Sequence, residues 1–262
     1  MAFITIDASK CLGDGLCVRD CVCHCIKMKE GRAYFRDIAD RACIHCGHCA
    51  AICPAGAVSM DGIAASSLES VSAGAVTADG FSGMAKSRRS LRLFKNTPVP
   101  RDVLRRALDT ARYAPTAKNC QGVEWVVLDD RAKIQALAAI TVNAMRGMKG
   151  FEGECAAFDR GRDVILRNAP CVIFAHAKDD HDALRFADCS VALTYLELML
   201  YAMGLGTTWT GYVVETAQKT NAIRDYLGLP EGHNIFAGCM VGYPSVKYVR
   251  IPERKPAVVG WM

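Results

Sequence analysis

The sequence predicts an α+β protein of two modules, a small cysteine-rich one followed by a larger one. Three observations carry this. Nine of the 14 cysteines fall within the first 53 residues, in two similarly spaced runs. A small, polar stretch without strong periodicity then separates this part from the rest, over residues 61–86. From residue 87 onward, helix-period and strand-period apolar patterns follow one another around one long apolar stretch. The expected boundaries are therefore residues 1–60, a connector at 61–86, and residues 87–262.

Composition narrows the function classes. A chain of 262 residues that is 51% hydrophobic can bury a sizeable core. Fourteen cysteines would suit a disulfide framework in a secreted protein, but Met1-Ala-Phe-Ile-Thr-Ile-Asp shows no basic n-region and no long apolar h-region. A reducing cytoplasm is expected, with clustered cysteines as metal ligands and scattered ones (Cys120, Cys155, Cys171, Cys189, Cys239) as small core residues. The stretch Val191 to Gly206 is interrupted by Glu197 and is shorter than the roughly 20 apolar residues of a membrane span, so it reads as a buried helix. The net charge of +5 is modest and does not itself indicate nucleic acid.

Phe3-Ile-Thr-Ile6 alternates as a short strand. Residues Cys43 to Pro54 read Cys-x2-Cys-x2-Cys-x3-Cys-Pro. Shifting the chain by 32 residues lays Cys11, Asp14, Gly15, Cys17 and Cys21 on Cys43, Cys46, Gly47, Cys49 and Cys53. This spacing and repeat resemble the two-cluster bacterial ferredoxins over residues 1–60. The resemblance implies a pseudo-twofold module with two iron–sulfur clusters. Cys11, Asp14, Cys17 and Cys53 would serve one, and Cys43, Cys46, Cys49 and Cys21 the other. Asp14 stands where a thiolate is usual, which leaves a carboxylate-ligated 4Fe–4S cube or a 3Fe–4S cluster with Asp14 solvated. Cys23 could replace the missing ligand, and Cys25 sits opposite the small core residue Ala57. His24, His45 and His48 read as solvent-side loop residues. The competing reading is structural zinc, which needs four ligands and gives no reason for the third cysteine or the Cys-Pro.

Lys86, Arg88, Arg89, Arg92 and Lys95 place five positive charges in ten residues. A nucleic-acid patch would want aromatic interleaving, which is scarce here. A solvated basic face and a phosphate clamp remain, since guanidinium forks match phosphate oxygens. A helix follows Pro98-Val-Pro-Arg-Asp, with Val103, Leu104, Ala107, Leu108 and Ala111 on one face. Then come Ala114-Pro-Thr-Ala-Lys-Asn-Cys-Gln121, a strand, the helix Asp188 to Met203, and Gly204-Leu-Gly-Thr-Thr-Trp-Thr-Gly211. Leu227-Gly-Leu-Pro-Glu and a strand into Val241-Gly-Tyr-Pro close the series. Gly204-x-Gly206 follows a helix and lacks a third glycine, so it is not a dinucleotide fingerprint.

These motifs, in this order, resemble the nitroreductase family of FMN-dependent oxidoreductases over residues 87–262. The resemblance implies an α+β sandwich with a mixed sheet, a long central helix, and a homodimer with FMN at the interface. Arg88, Arg89, Ser90 and Arg254 would hold the phosphate, and Arg92 would lie near the flavin edge. Pro115, Thr116, Ala117 and Asn119, with Gln121 close by, would reach the partner's flavin. Thr208, Trp209, Thr210 and Gly211 would border the ring. Gly122 replaces a proline usual in the family, and Thr210 replaces an acidic residue that some members carry. No side chain has the setting of an obligatory nucleophile or general base, so the sequence names no catalytic residue. The expected activity is electron transfer from clusters to FMN and on to a small flat acceptor, such as a nitroaromatic or quinone. The reverse flow from NAD(P)H through the clusters to a redox carrier, and a non-catalytic relay, are the alternatives.

Overall fold

The computed structural model describes residues 3–36, 42–71 and 76–262. By its contacts the chain divides into two compact units, one of Met1–Ala75 with Lys118–Cys120 and one of Val76–Ala117 with Gln121–Met262. The break falls inside the stretch expected as a connector, of which residues 72–75 lie outside the described residues.

The first unit is short-elemented. It comprises β1 (Ile4–Ile6), α1 (Leu16–Asp20), β2 (Ile26–Lys29), β3 (Arg32–Phe35), α2 (His48–Ile52), β4 (Val58–Met60) and β5 (Ile63–Ala64). β1 pairs antiparallel with β4, placing Ile4 opposite Met60, and β2 forms a hairpin with β3. The 32-residue repeat is present in the backbone. α1 and α2 each start from a left-handed glycine, Gly15 at φ 68° and Gly47 at φ 75°. Each helix ends on an extended cysteine, Cys21 or Cys53. Positive φ also recurs in register at Gly13 and His45, and at His24 and Gly56. Even the sulfur contacts repeat: Cys25 N–H donates to Cys21 Sγ at 3.3 Å, and Ala57 N–H to Cys53 Sγ at 3.4 Å. Two small apolar clusters hold the halves together, around Ile26, Ala33 and Ala57 and around Ile4, Ala50 and Val58.

The second unit begins with α3 (Ala78–Ser87), a helix within the stretch expected as a connector. Thr77 caps it, accepting from Gly80 N–H at 3.1 Å, and Asp79 sits in the first turn. α4 (Arg101–Ala111) follows Pro100 and buries Leu104, Ala107 and Ala111, the face read from its periodicity. Then come β6 (Glu124–Leu128), α5 (Arg131–Met145), α6 (Glu152–Asp159), β7 (Cys171–Lys178) and α7 (Asp182–Ala202). β8 (Gly206–Trp209), α8 (Gly211–Ala217), α9 (Ala222–Leu227) and β9 (His233–Gly242) complete it.

The sheet order is β6-β7-β9-β8, with every adjacent pair antiparallel. The expected mixed sheet is thus an antiparallel ladder, and among the described residues parallel pairing in this unit is the single bridge Ser90–Thr207. Successive β7 side chains serve opposite cores, as strand alternation requires. Cys171, Ile173 and Ala175 pack with Leu104, Leu193, Leu196 and Leu200 of α4 and α7. Val172 and Phe174 pack with Leu137, Val142, Val213 and Ile223 of α5, α8 and α9. The sheet is covered on both faces, so its central strands are apolar nearly throughout. Cys155, Cys171, Cys189 and Cys239 are core residues as expected, whereas Cys120 is exposed. No helix among the described residues is long and apolar enough to cross a membrane.

Candidate functional site

The basic stretch after α3 is pinned to the sheet. Leu91 N–H donates to Thr207 O at 2.8 Å, and Ser90 bridges Thr207. The Leu91 side chain lies over Gly206, where an added Cβ would meet it at 2.4 Å. That close approach explains the glycine at the start of β8. Arg88, Arg89, Ser90 and Arg92 then line an open cavity of about 300 Å³, closed by Tyr248, Pro252 and Arg254 from far along the chain. Arg88, Arg89, Ser90 and Arg254, the residues named for a phosphate, are brought together, with Arg92, named for the flavin edge, beside them.

A buried carboxylate orders this cavity from below. Glu197, in the middle of α7, is 5% exposed. It accepts from Thr207 Oγ1 at 2.5 Å and from Trp209 Nε1 at 2.8 Å, and Arg88 Nη1 lies 3.6 Å away. A carboxylate is rarely buried unless paired, and here the partners come from β8 and the basic stretch. The sequence showed Glu197 only as an interruption of an apolar run, which was the available signal. Arg89 is turned onto the backbone, donating to Arg88 O and Lys86 O.

The remaining expected flavin contacts lie on two other segments, and none of them lines the arginine cavity. Asp188 of α7, 4% exposed, accepts from Ala117 N–H at 2.8 Å. Thr116 Oγ1 accepts from Gln121 N–H at 3.0 Å, so its hydroxyl closes the loop after Pro115. Gln121 has φ 47°, a conformation that a following proline disfavours and Gly122 permits. Asn119 belongs with the first unit, its Nδ2 donating to Ile44 O at 3.2 Å and His45 O at 3.1 Å. At the end of β8, Thr208 and Thr210 are buried and Trp209 and Gly211 are exposed. Thr210 Oγ1 is buried without a partner among the described residues and faces Gly238.

The thiols of the first unit gather in two sets. Burial raises the Cys17 pKa, and Cys53, Cys11 and Asp14 raise it further. Burial likewise pushes Cys49 up to about 11, with Cys46, Cys43 and Cys21 adding to it. Each set thus takes a cysteine from the opposite repeat. Asp14 is exposed, and its Oδ1 accepts from Leu16 N–H at 3.0 Å. Cys23 lines a pocket with Cys21, Cys43, Cys46 and Cys49. Cys25 is buried beside Cys21, with a pKa pushed up to about 12 by burial first. His24, His45 and His48 are exposed, His45 stacking on Phe3 at 3.5 Å and His48 lying 3.2 Å from Asp20. N–H groups of Ala33 and His45 point at Cys11 and Cys43 Sγ, both at 3.4 Å.

Comparison with known proteins adds a family. A protein of Archaeoglobus fulgidus, provisionally named NADH dehydrogenase/NAD(P)H nitroreductase, is 26% identical over 165 residues, 62% of this chain and 84% of its own. The NADH dehydrogenase of Thermus thermophilus is 28% identical over 179 residues, 62% of this chain and 85% of its own. The solved structure of a nitroreductase with bound FMN from Desulfitobacterium hafniense superposes with a TM-score of 0.58 at 22% identity. It covers 68% of this chain and 97% of that one, a likeness of fold. The family model described as the nitroreductase family matches residues 85–243, more than half of the chain. With that match, the chain belongs to the nitroreductase family.

Proposed function

We propose that the protein is an FMN-dependent oxidoreductase whose N-terminal unit carries two iron–sulfur clusters, passing electrons to a small flat acceptor such as a nitroaromatic or quinone. The observation that carries the flavin assignment is the closing of Arg254 onto Arg88, Arg89, Ser90 and Arg92. Four guanidinium groups and a hydroxyl around one open cavity suit a doubly charged phosphate and little else of that size. Glu197 fixes Arg88 and the Trp209 indole, so the cavity and the end of β8 are set by one side chain. Bound flavin supplies chemistry that exchanges one or two electrons, and the chain's task is to hold, orient and shield it.

The two thiol sets fit clusters better than zinc. Four sulfurs 2.3 Å from one tetrahedral ion lie about 3.8 Å apart. Among the described residues, no three of these thiols bring their sulfurs within 4.8 Å of one another. That setting supports a larger, polynuclear group over a single zinc ion. Backbone N–H groups aimed at Cys11, Cys21, Cys43 and Cys53 sulfur stabilise the anionic form that such a group requires. Cys11, Cys17 and Cys53, with Asp14 beside them, would hold one cluster. Cys21, Cys43, Cys46 and Cys49 would hold the other as 4Fe–4S. The Asp14 site would be the labile one, as a carboxylate-capped cube or a 3Fe–4S cluster.

A homodimer with the flavin at its interface completes the proposal. The chain past Ile251 is exposed throughout and carries Val258, Val259 and Trp261 with no cover from its own unit. Large exposed apolar groups on one extended segment fit a partner surface. A second reading reverses the flow, with NAD(P)H reducing the flavin and the clusters exporting electrons. The names of the relatives favour nicotinamide as a reactant.

One anaerobic experiment tests both. The oxidised, cofactor-replete protein is mixed with NADH or NADPH, then separately with dithionite or a reduced low-potential ferredoxin. Flavin bleaching that follows cluster bleaching, with no response to nicotinamide, supports the first reading. Fast flavin bleaching by nicotinamide promotes the second. A colourless protein with no flavin or iron after reconstitution would defeat both.

A further inference from the structure

We propose that Glu124, His176 and His233 form a binding site for one divalent transition-metal ion of the zinc class, on the sheet of the second unit. Nothing in the proposed flavin and cluster sites uses these residues. Their ligand atoms all lie within 4.8 Å of one another, the only such group of three among the described residues. They come from three adjacent strands of one sheet: β6, β7 and β9. A rigid scaffold of this kind holds ligands more closely than loops do.

The register explains the convergence. Glu124 pairs directly with His176 across β6 and β7. His233 opens β9 opposite Lys178, two residues along β7 from His176. A register shift between Ala175 and His176 interrupts the β7–β9 ladder at this point. Such irregularities turn a side chain out of its regular direction. Here the ladder breaks at the histidine that meets the other two donors.

Distance and donor type select the ligand. The two imidazoles face each other through Nδ1, 3.1 Å apart. Two nitrogens bound at 2.0–2.1 Å to a tetrahedral ion lie about 3.3 Å apart, so a small opening admits the metal. The same separation accommodates a hydrogen bond between one protonated and one bare nitrogen, which is the state the pair would hold without metal. Two imidazoles and one carboxylate suit zinc, nickel or copper rather than the all-oxygen shell of calcium or magnesium. His176 is 3% exposed, whereas Glu124 is exposed and His233 half-buried. The metal would therefore sit with its protein ligands on the inner side and one position open for water or a small anion.

The surroundings hold His233 in place. Asn234, next in the chain, donates through Nδ2 to Gln218 Oε1 at 2.7 Å and to Asp179 Oδ2 at 3.3 Å. Its Oδ1 accepts from Ile235 N–H at 2.9 Å. Asp179 N–H in turn donates to Gly232 O at 2.7 Å. The start of β9 is thus fastened on both sides of the histidine, the outer support that metal ligands need.

Cobalt chloride is the probe, because its visible absorption distinguishes nitrogen and oxygen ligands from thiolates. The full-length protein, purified anaerobically with its own cofactors and stripped of loosely held metal, is titrated with cobalt alone. We expect one equivalent per chain to give a ligand-field band without sulfur-to-cobalt charge transfer. His233→Ala and Glu124→Gln should each lose that band or require at least about tenfold more cobalt. Circular dichroism and melting temperature check that the variants are folded. Glu124→Gln is nearly isosteric at an exposed position, so it decides the matter if His233→Ala is misfolded. Titrations identical for wild type and Glu124→Gln would overturn the proposal. So would a cobalt spectrum consisting only of thiolate charge transfer.

Discussion

Glu197 makes the strongest demand of any single residue. Its carboxylate holds one hydroxyl, one indole N–H and a guanidinium, and its removal strands the buried Thr207 hydroxyl and frees the more exposed Trp209 and Arg88. Glu197→Ala should cost about 2–4 kcal/mol, read by urea unfolding, because buried donors left unpaired cost about 1–3 kcal/mol each. Flavin content should fall with it, since Arg88 loses its anchor. Glu197→Gln keeps the shape and should lose less. Arg254 makes the opposite case, as an exposed residue whose value lies in the ligand. Arg254→Ala should leave the melting temperature unchanged and weaken FMN about 10–100-fold by ultrafiltration and fluorescence, the worth of one charge-assisted hydrogen bond. Equal flavin retention in wild type and variant would remove Arg254 from the cradle. Gly13 is a backbone requirement instead. It sits at φ 73°, and a Cβ there would come 2.3 Å from Gly31 O, so Gly13→Ala should displace the loop between Cys11 and Asp14.

The elements show what could be read in advance. α4 was legible because its apolar face recurs at helical spacing and Pro100 precedes its first turn. α7 was legible from its length and hydrophobicity, and the halves of the first unit from their repeat. α3 was not, because none of its residues is buried and Gly80 and Gly83 interrupt it. Its start is marked only by Thr77 and Asp79, a cap and an acidic first-turn residue within a small, polar stretch. The antiparallel order of the sheet was also out of reach, since strand pairing is non-local and alternation does not name the neighbour. The Asn119 contact with Ile44 and His45 is equally non-local, joining residues some 74 positions apart. One pairing between elements is testable by pH. Arg101 at the start of α4 binds Asp129 just after β6, with Nε 2.5 Å from Oδ2, and that guanidinium holds the Asp129 carboxyl below its ordinary range. A depressed carboxylate pKa contributes stability above the unfolded value of about 3.9 and loses it as pH falls through the folded value. Asp129→Asn should therefore lower stability at pH 7 and flatten the acid limb, its difference from the wild type shrinking away as pH falls below about 4.

At the scale of the molecule, the exposed end of the chain is the open question that mass measurement answers. Truncation after Lys255 keeps Arg254 and removes Val258, Val259 and Trp261. Light scattering should show the proposed dimer weakened in the truncated protein, while an unchanged mass would assign the tail elsewhere. The crossing of the cysteines gives a second test. Cys21→Ser should disturb the proposed cluster at Cys43, Cys46 and Cys49, and Cys53→Ser the proposed one at Cys11 and Cys17, each followed by electron paramagnetic resonance. The same crossing bears on ancestry. A peptide of one repeat would hold three donors of its own set and carry its last cysteine turned toward someone else's. Such a peptide could fill a site only by meeting a copy of itself, at a concentration high enough for the two to exchange. Two such copies joined in one chain would make the proposed exchange intramolecular and independent of how many molecules are present.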